Sequence, residues 1–232
     1  MAKKKRERFI ENDTFPNLFQ PTYEHLITEG FGLKGRWNLD FFRNEAPIIL
    51  ELGCGKGEYT TGLASRTPEK NFIGMDLKGA RLWRGLKTAQ EEGFPNVAFI
   101  RCAVEHIGYF FGPQEVDELW ITFPDPKPKK SKARQRLTSP RFLESYAPIL
   151  KPGHVIHLKT DDPGLFEYTR DTITRENHSL LYHICDLYKE NLKEPADEIQ
   201  TFYEKMWLEQ GKPIFYLRFR LREIPGDKIL RP

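Results

Sequence analysis

A short apolar segment that runs directly into three closely spaced glycines constrains the fold of this chain more than any other feature. Residues 48–52 (Ile-Ile-Leu-Glu-Leu) read as a buried strand, and Gly53, Gly55 and Gly57 follow, before a segment predicted as helix. Glycines allow a backbone to approach a ligand closely. A buried strand, a glycine-rich turn and a helix in this order are typical of a cofactor-binding α/β sheet.

The rest of the chain repeats this alternation. From Pro47 onward, short apolar runs alternate with longer amphipathic ones, which predicts a parallel sheet covered by helices on both faces. Ser139 and Pro140 predict a helix start, and Pro152-Gly153 its end. Further helices are predicted near residues 163–175 and 198–210. The predicted strands are 48–52, 72–76, 97–101, 118–123, 155–159, 180–186 and 215–221.

The last of these segments differs in character from the others. Residues 215–221 alternate apolar and polar side chains, which suits an antiparallel strand with one wetter face. We therefore predict an α/β fold with a seven-stranded, mainly parallel sheet that contains one antiparallel strand.

Length and charge limit the domain organisation. At 232 residues and 39% hydrophobic content, the chain can bury one substantial core. We expect a flexible basic N-terminal extension over residues 1–33, one domain over 34–222 and a C-terminal tail over 223–232. The net charge of +3 does not identify a nucleic-acid partner, so the distribution of charge must carry that argument.

Cysteine and histidine usage narrows the function classes. Cys54, Cys102 and Cys185 form no Cys-x-x-Cys pair, which favours a reducing compartment over disulfide or zinc chemistry. The six histidines show no metal-ligand spacing, so we expect no metal. No apolar stretch is long enough for a membrane span or signal peptide. The sequence predicts a cytoplasmic protein.

Acidic residues beside the glycine turn indicate the kind of cofactor. Counting from Gly53, the third glycine of a dinucleotide fingerprint is replaced by Glu58, so the pyrophosphate motif is broken. Glu51 would repel a pyrophosphate but attract the ammonium and sulfonium of S-adenosylmethionine. Asp76 ends the second predicted strand, where an acid accepts hydrogen bonds from a ribose diol. The alternative is an ordinary tight turn with a solvated acid at a strand end.

The end of the third predicted strand carries a weaker signal. Residues 101–105 (Arg-Cys-Ala-Val-Glu) lie where the adenine of such a cofactor is expected. Cys102 is interpreted as a packing residue and Glu105 as a solvated loop residue.

An acid held between two prolines follows the fourth predicted strand. Asp125 stands between Pro124 and Pro126, which limit the freedom of its backbone. Residues 127–136 contain no acidic side chain and many basic ones, as a phosphate-binding surface requires, although a solvated loop can have the same composition. The candidates for RNA-backbone contact are Lys127, Lys130, Lys132, Arg134 and Arg136. The basic start at residues 3–8 suits either RNA contact or solubility.

At these motifs the chain resembles the bacterial tRNA (guanine-N7)-methyltransferase family. The resemblance spans residues 45–222 and rests on Glu-Leu-Gly-Cys-Gly-Lys-Gly at 51–57, Phe-Pro-Asp-Pro at 123–126, Leu-Thr-Ser-Pro-Arg-Phe at 137–142 and Thr-Phe-Tyr-Glu at 201–204. It implies a Rossmann-like class I fold and transfer of a methyl group from S-adenosylmethionine to N7 of a guanosine in the tRNA variable loop.

The resemblance also implies roles for individual residues. Asp125 would be the catalytic residue, at the boundary between cofactor and guanine, and Asp161 and Glu204 are candidates to share its role. The residues expected at the cofactor are Glu51, Gly53, Gly55, Gly57, Asp76, Cys102 and Asp125. Those expected at the substrate are Lys129, Asp161, Thr201, Phe202, Tyr203 and Glu204.

Two departures from the family pattern concern these roles. Cys102 stands where the family usually has an acid, and residues 131–136 keep the charge but not the histidine of the family's basic run.

Other functions remain open at this point. A nicotinamide-dependent oxidoreductase shares the glycine turn and the strand-end acid, although Glu51 and Glu58 count against it. A non-catalytic RNA-binding module and a methyltransferase for another base are further alternatives. The sequence leaves open whether the protein is a monomer or a homodimer, and which tRNA species it prefers.

Overall fold

The computed structural model describes residues 2–190, 192 and 194–223, without the side chains of residues 2–5. The strands are β1 (Leu18–Phe19), β2 (Ile48–Leu52), β3 (Asn71–Asp76), β4 (Val97–Arg101), β5 (Val116–Thr122), β6 (Leu150–Thr160), β7 (Ser179–Ile184) and β8 (Phe215–Arg220). The α-helices are α1 (Ala2–Asn12), α2 (Tyr23–Thr28), α3 (Glu58–Arg66), α4 (Gly79–Glu91), α5 (Ile107–Phe110), α6 (Pro140–Tyr146), α7 (Pro163–Arg175), α8 (Leu187–Glu190), α9 (Pro195–Glu198) and α10 (Phe202–Glu209).

The described strands form one sheet in the order β1-β4-β3-β2-β5-β6-β8-β7. Neighbours from β1 to β6 pair in parallel, whereas β8 is antiparallel to both β6 and β7. The predicted, mainly parallel sheet with one antiparallel strand is confirmed. The structure adds β1, an eighth strand whose two residues are too few to produce a periodic signal in the sequence.

The core lies on both faces of this sheet, as the alternation along β2 shows. Leu50 and Leu52 pack with Phe142 of α6 and Phe166 of α7 on one face. On the other face, Ile49 packs in the cluster that contains Leu63 of α3 and Leu86 of α4. Because both faces are covered, the central strands read as continuous apolar runs.

The N-terminal segment packs against the domain. The Asn12 side chain donates to the backbone oxygen of Gly79 at 2.9 Å, which joins α1 to the start of α4. Phe15 and Leu26 are buried, and β1 pairs with β4. The expected extension over residues 1–33 therefore contributes to the core. Most of the expected C-terminal tail, residues 224–232, lies outside the described residues.

Two predicted helix boundaries are wrong. Helix α6 ends at Tyr146, and Pro152-Gly153 lies inside β6, where the pairing with β5 is irregular and tolerates a residue without a backbone N–H. The helix predicted near residues 198–210 begins later, at Phe202, because α9 ends at Glu198 and Thr201 caps α10 with its own capping box. Within the described ranges, no helix is long and apolar enough to cross a membrane.

Candidate active site

The glycine turn after β2 adopts backbone conformations that favour glycine. Gly53, Gly55 and Gly57 have φ angles of +69°, +58° and +69°. A Cβ on Gly57 would lie 2.7 Å from the Phe99 ring and 3.1 Å from the Cα of Gly85. Gly57 therefore allows α3 to start close against β4 and α4.

Glu51 ends up as a buried carboxylate directly beneath this turn. It is 2% exposed and accepts hydrogen bonds from the backbone N–H of Thr60 at 2.8 Å and from Thr122 Oγ1 at 2.6 Å. The Thr60 hydroxyl donates to it as well. Burial raises the pKa of Glu51 to about 7 from an ordinary 4.5, although these hydrogen bonds oppose the shift. A cation bound nearby would stabilise the ionised form.

Asp76 connects the end of β3 to the glycine turn. One of its carboxylate oxygens accepts the backbone N–H of Gly55 at 3.0 Å, and the other accepts that of Lys78 at 2.6 Å. A carboxylate oxygen has two acceptor sites, so both oxygens retain capacity for hydroxyl groups. Glu51 and Asp76, the two predicted cofactor acids, thus lie at the same turn.

The end of β4 is a packing region in this structure. Cys102 is half-buried against the core, and burial raises the pKa of its thiol. The neighbouring Arg101 lies 4.7 Å from the Phe9 ring centre and donates to Gln20 at 3.2 Å. These contacts place α1 beside the strand end where the adenine is expected. The predicted contact between Cys102 and adenine stays a prediction.

Asp125 lies on an exposed loop at the end of β5. Phe123 has a φ of +47°, a left-handed conformation that costs energy for a residue with a side chain, and such strain is frequent at functional sites. The Asp125 side chain is 65% exposed and accepts from the backbone N–H of Lys127 at 3.1 Å and from its Nζ at 2.7 Å. These hydrogen bonds lower the pKa of Asp125, so the carboxylate is ionised at neutral pH.

The basic residues after Asp125 divide into two groups, one exposed and one held by the loop itself, and Lys127, which pairs with Asp125, belongs to the second. Lys129, Lys130, Lys132 and Arg134 are exposed and available to an anion. Arg136 instead donates to the backbone oxygens of Pro126 at 3.0 Å and Lys127 at 3.1 Å, and its guanidinium lies 4.2 Å from the Tyr168 ring centre. In this structure Arg136, predicted to contact RNA, supports the Asp125 loop.

The segment 201–204 lies against the glycine turn. Thr201 and Glu204 form the capping box of α10, with hydrogen bonds of 3.2 Å in both directions. The Phe202 backbone N–H donates to Glu58 at 3.2 Å, and Lys56 Nζ lies 4.2 Å from the Phe202 ring centre. Thr201 and Glu204 therefore cap α10, whereas Phe202 contacts the glycine turn and the start of α3.

Two of the four side chains in segment 201–204 face outward and one faces the core. Phe202 and Tyr203 are 55% and 45% exposed, whereas Glu204 is fully buried. The aromatic pair is therefore accessible to a substrate, and Glu204 is closed off from solvent.

The predicted site residues gather along the carboxyl edge of the central strands. Asp161 directly follows β6 and is half-buried, which raises its pKa. The sequence interpretation missed three residues that hold this edge together: Thr60, Thr122 and Lys159. Of these, only Lys159 gave a sequence signal, because a lysine interrupts the apolar end of a strand. Among the described residues, the structure shows no cluster of three or more metal-ligating side chains.

The fold and the site together define a class I methyltransferase. The glycine turn follows the central strand β2, and β8 is the antiparallel strand of an otherwise parallel sheet among the described residues. Solved RNA methyltransferases are among the structures that this chain matches. The 16S rRNA methyltransferase KamB matches with a TM-score of 0.62 and 15% identity, and the match covers 82% of this chain and 95% of that one. A single-residue mutant of the 16S rRNA (adenine(1408)-N(1))-methyltransferase from Catenulisporales acidiphilia, with cosubstrate SAM, matches with a TM-score of 0.54 and 16% identity, covering 81% and 91%.

Sequence comparison identifies the family. A family model described as "Putative methyltransferase" matches residues 45–217. The tRNA (guanine-N(7)-)-methyltransferase of Christiangramia forsetii is 51% identical over 222 residues, which cover 95% of this chain and 99% of that protein. The enzyme of the same name from Bacteroides thetaiotaomicron is 44% identical over 231 residues, covering 100% and 90%. This chain belongs to the tRNA (guanine-N7)-methyltransferase family.

Proposed function

We propose that this protein transfers a methyl group from S-adenosylmethionine to N7 of a guanosine in the variable loop of tRNA. One observation carries the proposal at the site: Asp125, ionised and exposed, lies three residues after Thr122, which donates to the buried Glu51. The end of β5 therefore connects Glu51, a carboxylate suited to a cationic cofactor, to Asp125, a carboxylate open to a substrate. The names of the relatives support the choice of tRNA and of guanine N7.

The residues at the glycine turn fit this cofactor. Glu51 is a buried acid that would hold the cationic end, Asp76 retains acceptor capacity for a ribose diol, and the space in front of Gly55 is open on the side where a Cβ would point. When bound there, S-adenosylmethionine supplies an electrophilic methyl group. One structural neighbour is described with SAM as its cosubstrate, which supports the same choice. Gly53, Gly57 and Cys102 complete the proposed cofactor side.

The reaction needs no general base to begin. Guanine N7 carries a free lone pair in the neutral base, so positioning and electrostatics supply the rate. We assign to Asp125 the role of accepting hydrogen bonds from N1–H and the 2-amino group of guanine. Its negative charge would offset the positive charge that grows on the purine as N7 takes the methyl group, whose bond to the cofactor sulfur breaks in the same step and leaves S-adenosylhomocysteine. Asp161 shares the same edge of the sheet.

The remaining contacts hold the nucleotide. Lys129 and its basic neighbours Lys127, Lys130, Lys132 and Arg134 are proposed to bind phosphates, which orient the RNA without reading its sequence. Thr201 starts the helix that presents Phe202 and Tyr203, exposed rings on which an unstacked base can lie. A tRNA substrate and three free cysteines favour a cytoplasmic location.

The decisive experiment is transfer of labelled methyl from S-adenosylmethionine to an unmodified tRNA transcript. The matched control is the same transcript with its variable-loop guanosine changed to adenosine. Label in the first transcript alone is the expected result. Equal label in both would move the target base, and label in neither would remove the proposed activity.

A further inference from the structure

A fully buried lysine occupies the end of β6 beside the active site. Lys159 has no exposed surface, and its ammonium lies 5.2 Å from the Tyr59 ring centre, 5.8 Å from that of Tyr188 and 5.9 Å from that of Phe123. It donates to the carboxylate of Glu204 at 2.6 Å, to the backbone oxygen of Ile199 at 3.1 Å, and to that of Ala196. An ammonium has three protons, so the donor capacity of Lys159 is fully used.

All three acceptors belong to one segment, residues 196–204, which lies against the glycine turn through Phe202 and forms one wall of the proposed site. The segment is also held by Tyr59, whose hydroxyl donates to the backbone oxygen of Pro195 at 2.8 Å. The backbone oxygen of Lys159 accepts the N–H of Phe123 at 2.8 Å, two residues before Asp125. Lys159 therefore joins the two walls of the site, one through its main chain and the other through its side chain.

Stability alone does not account for a lysine at this position. Removing an ion pair from water is costly, and apolar residues of similar volume often replace such a pair without loss of stability. What apolar residues cannot supply is three directed hydrogen bonds to chosen atoms of a loop. Because residues 199–201 separate α9 from α10, the backbone there has few helical hydrogen bonds of its own to hold it.

We propose that Lys159 is a positioning residue that holds residues 196–204 in place, so that Phe202 and Tyr203 face the guanosine bound at Asp125. Glu204 acts through Lys159 and the α10 cap, and does not touch the guanine. The inference rests on the proposed function, because it assigns the wall of that substrate site.

The main test replaces both charges, so that no buried charge is left without a partner. In Lys159→Met/Glu204→Gln, glutamine keeps the N3 position of the cap, and methionine fills the volume of the lysine. We expect a Tm close to that of the wild type and unchanged affinity for S-adenosylhomocysteine. We expect kcat for tRNA to fall about tenfold or more, with KM changed less than about twofold, because a misplaced base loses orientation whereas phosphate contacts remain.

One control variant separates positioning from folding. Lys151→Met removes a lysine from the opposite end of the same strand, and should leave kcat unchanged. Double-variant kcat within about twofold of the wild type would overturn the proposal, as would a parallel loss of S-adenosylhomocysteine affinity. Failure of the proposed function would appear differently, as absence of transfer by the wild-type protein.

A single variant keeps the proposal testable if the double variant does not fold. Glu204→Gln retains an acceptor for Lys159 and leaves the Lys159 bonds to Ala196 and Ile199 in place, but it removes the counter-ion of the buried ammonium, so its Tm should be lower than that of the wild type. Measured below its Tm, it should keep kcat within about threefold of the wild type, because the wall stays anchored. A loss of about a hundredfold with intact cofactor binding would show that Glu204 acts on the guanine, and would overturn the proposal.

Discussion

The two acids at the centre of this site, Glu51 and Asp125, are built in opposite ways. Glu51 is 2% exposed, and Thr60 and Thr122 already donate hydrogen bonds to it in the free protein. Asp125 is 65% exposed, and its hydrogen bonds come from Lys127 in its own loop. The pKa of the first is raised by burial and that of the second is lowered by a neighbouring cation.

This difference indicates that the two sides of the proposed site are prepared for their ligands in different ways. The proposed cofactor side is assembled by the fold itself, through glycine backbone, buried threonine hydroxyls and strand pairing, so under this proposal it is formed before any ligand binds. The proposed RNA side presents exposed charges, and the Lys127–Asp125 pair there lies at the surface, where ion pairs contribute little to stability. Under this proposal, the phosphates of the RNA complete that side. Substitutions on the two sides should therefore affect different measurements.

The largest effect is expected for Asp125→Asn. An amide keeps the size of the side chain but removes the charge that offsets the cationic purine, so kcat should fall about 10²–10³-fold. The Tm should not change, because the side chain is exposed. Single-turnover methyl transfer and a thermal melt measure the two quantities. Asp171→Asn, on the exposed face of α7, is the control, and equal kcat values for both variants would contradict the role of Asp125.

Gly57→Ala should lower the unfolding free energy by straining the glycine turn on the proposed cofactor side. A methyl group at this left-handed position would meet the Phe99 ring at 2.7 Å, and the combined strain and overpacking are worth about 2–4 kcal/mol of unfolding free energy. Gly93 has a φ of +68° and nothing within 4 Å of an added Cβ, so Gly93→Ala isolates the backbone cost of about 1 kcal/mol. Urea titration of both variants measures the difference. Equal losses would mean that packing at Gly57 contributes nothing.

Glu51→Gln should change stability in a pH-dependent direction. The folded pKa of Glu51, about 7, lies above its unfolded value of 4.5, so ionisation of the buried acid destabilises the wild type as pH rises through this interval. Glutamine does not ionise, so the stability of the variant relative to the wild type should rise by up to about 3 kcal/mol between pH 5 and pH 8. Denaturant titrations at both pH values test this, and a pH-independent difference would contradict it.

The same substitution should weaken cofactor binding. Loss of a charged partner for the cationic end is expected to reduce affinity for S-adenosylhomocysteine about tenfold at pH 8, by isothermal titration. A variant that is more stable and binds less would sharpen the contrast with Asp125→Asn, whose stability and cofactor binding should stay unchanged.

The smallest effect is expected for Lys129→Ala. Removal of one phosphate contact should weaken tRNA binding several-fold and reduce the slope of log affinity against log salt by about one. Lys151→Ala, at the opposite end of β6 from the site, should leave that slope unchanged. An unchanged slope for Lys129→Ala would show that Lys129 makes no phosphate contact.

Arg136→Ala should lower kcat with little change in slope, because Arg136 supports the Asp125 loop through Pro126 and Lys127.

The sequence predicts the parts of this molecule that depend on local pattern. Strands β2 and β4 have the predicted bounds, since both are mostly apolar runs; β2 lies between Pro47 and Gly53, and β4 follows Asn96. Helix α7 also has its predicted bounds, because Asp162 caps it and Pro163 starts it. Strand β6 is longer than predicted, since Pro152 and Gly153 near its start are exposed, irregularly paired and carry no strand-like pattern.

The parts that depend on distant contacts are beyond the sequence. Glu204 is expected at the substrate, but its burial follows from Lys159, a residue far away in the chain. Arg136 is expected at the RNA backbone, and its position follows from carbonyl groups ten and nine residues earlier. The sequence gives the number of basic residues in a loop, whereas the folded backbone determines which of their side chains remain accessible to a ligand.

The place of β8 between β6 and β7 has a consequence for the order in which the molecule is assembled. Because β7 joins the described sheet through β8, it has to wait for nearly the last described segment of the chain. Residues 187–209 lie between these two strands in the sequence, so the wall proposed for the guanosine is completed late. The glycine turn and its strands are complete once β5 has been made. On the proposed function, a chain emerging from the ribosome therefore completes the side that holds the methyl donor before the side that holds the guanosine.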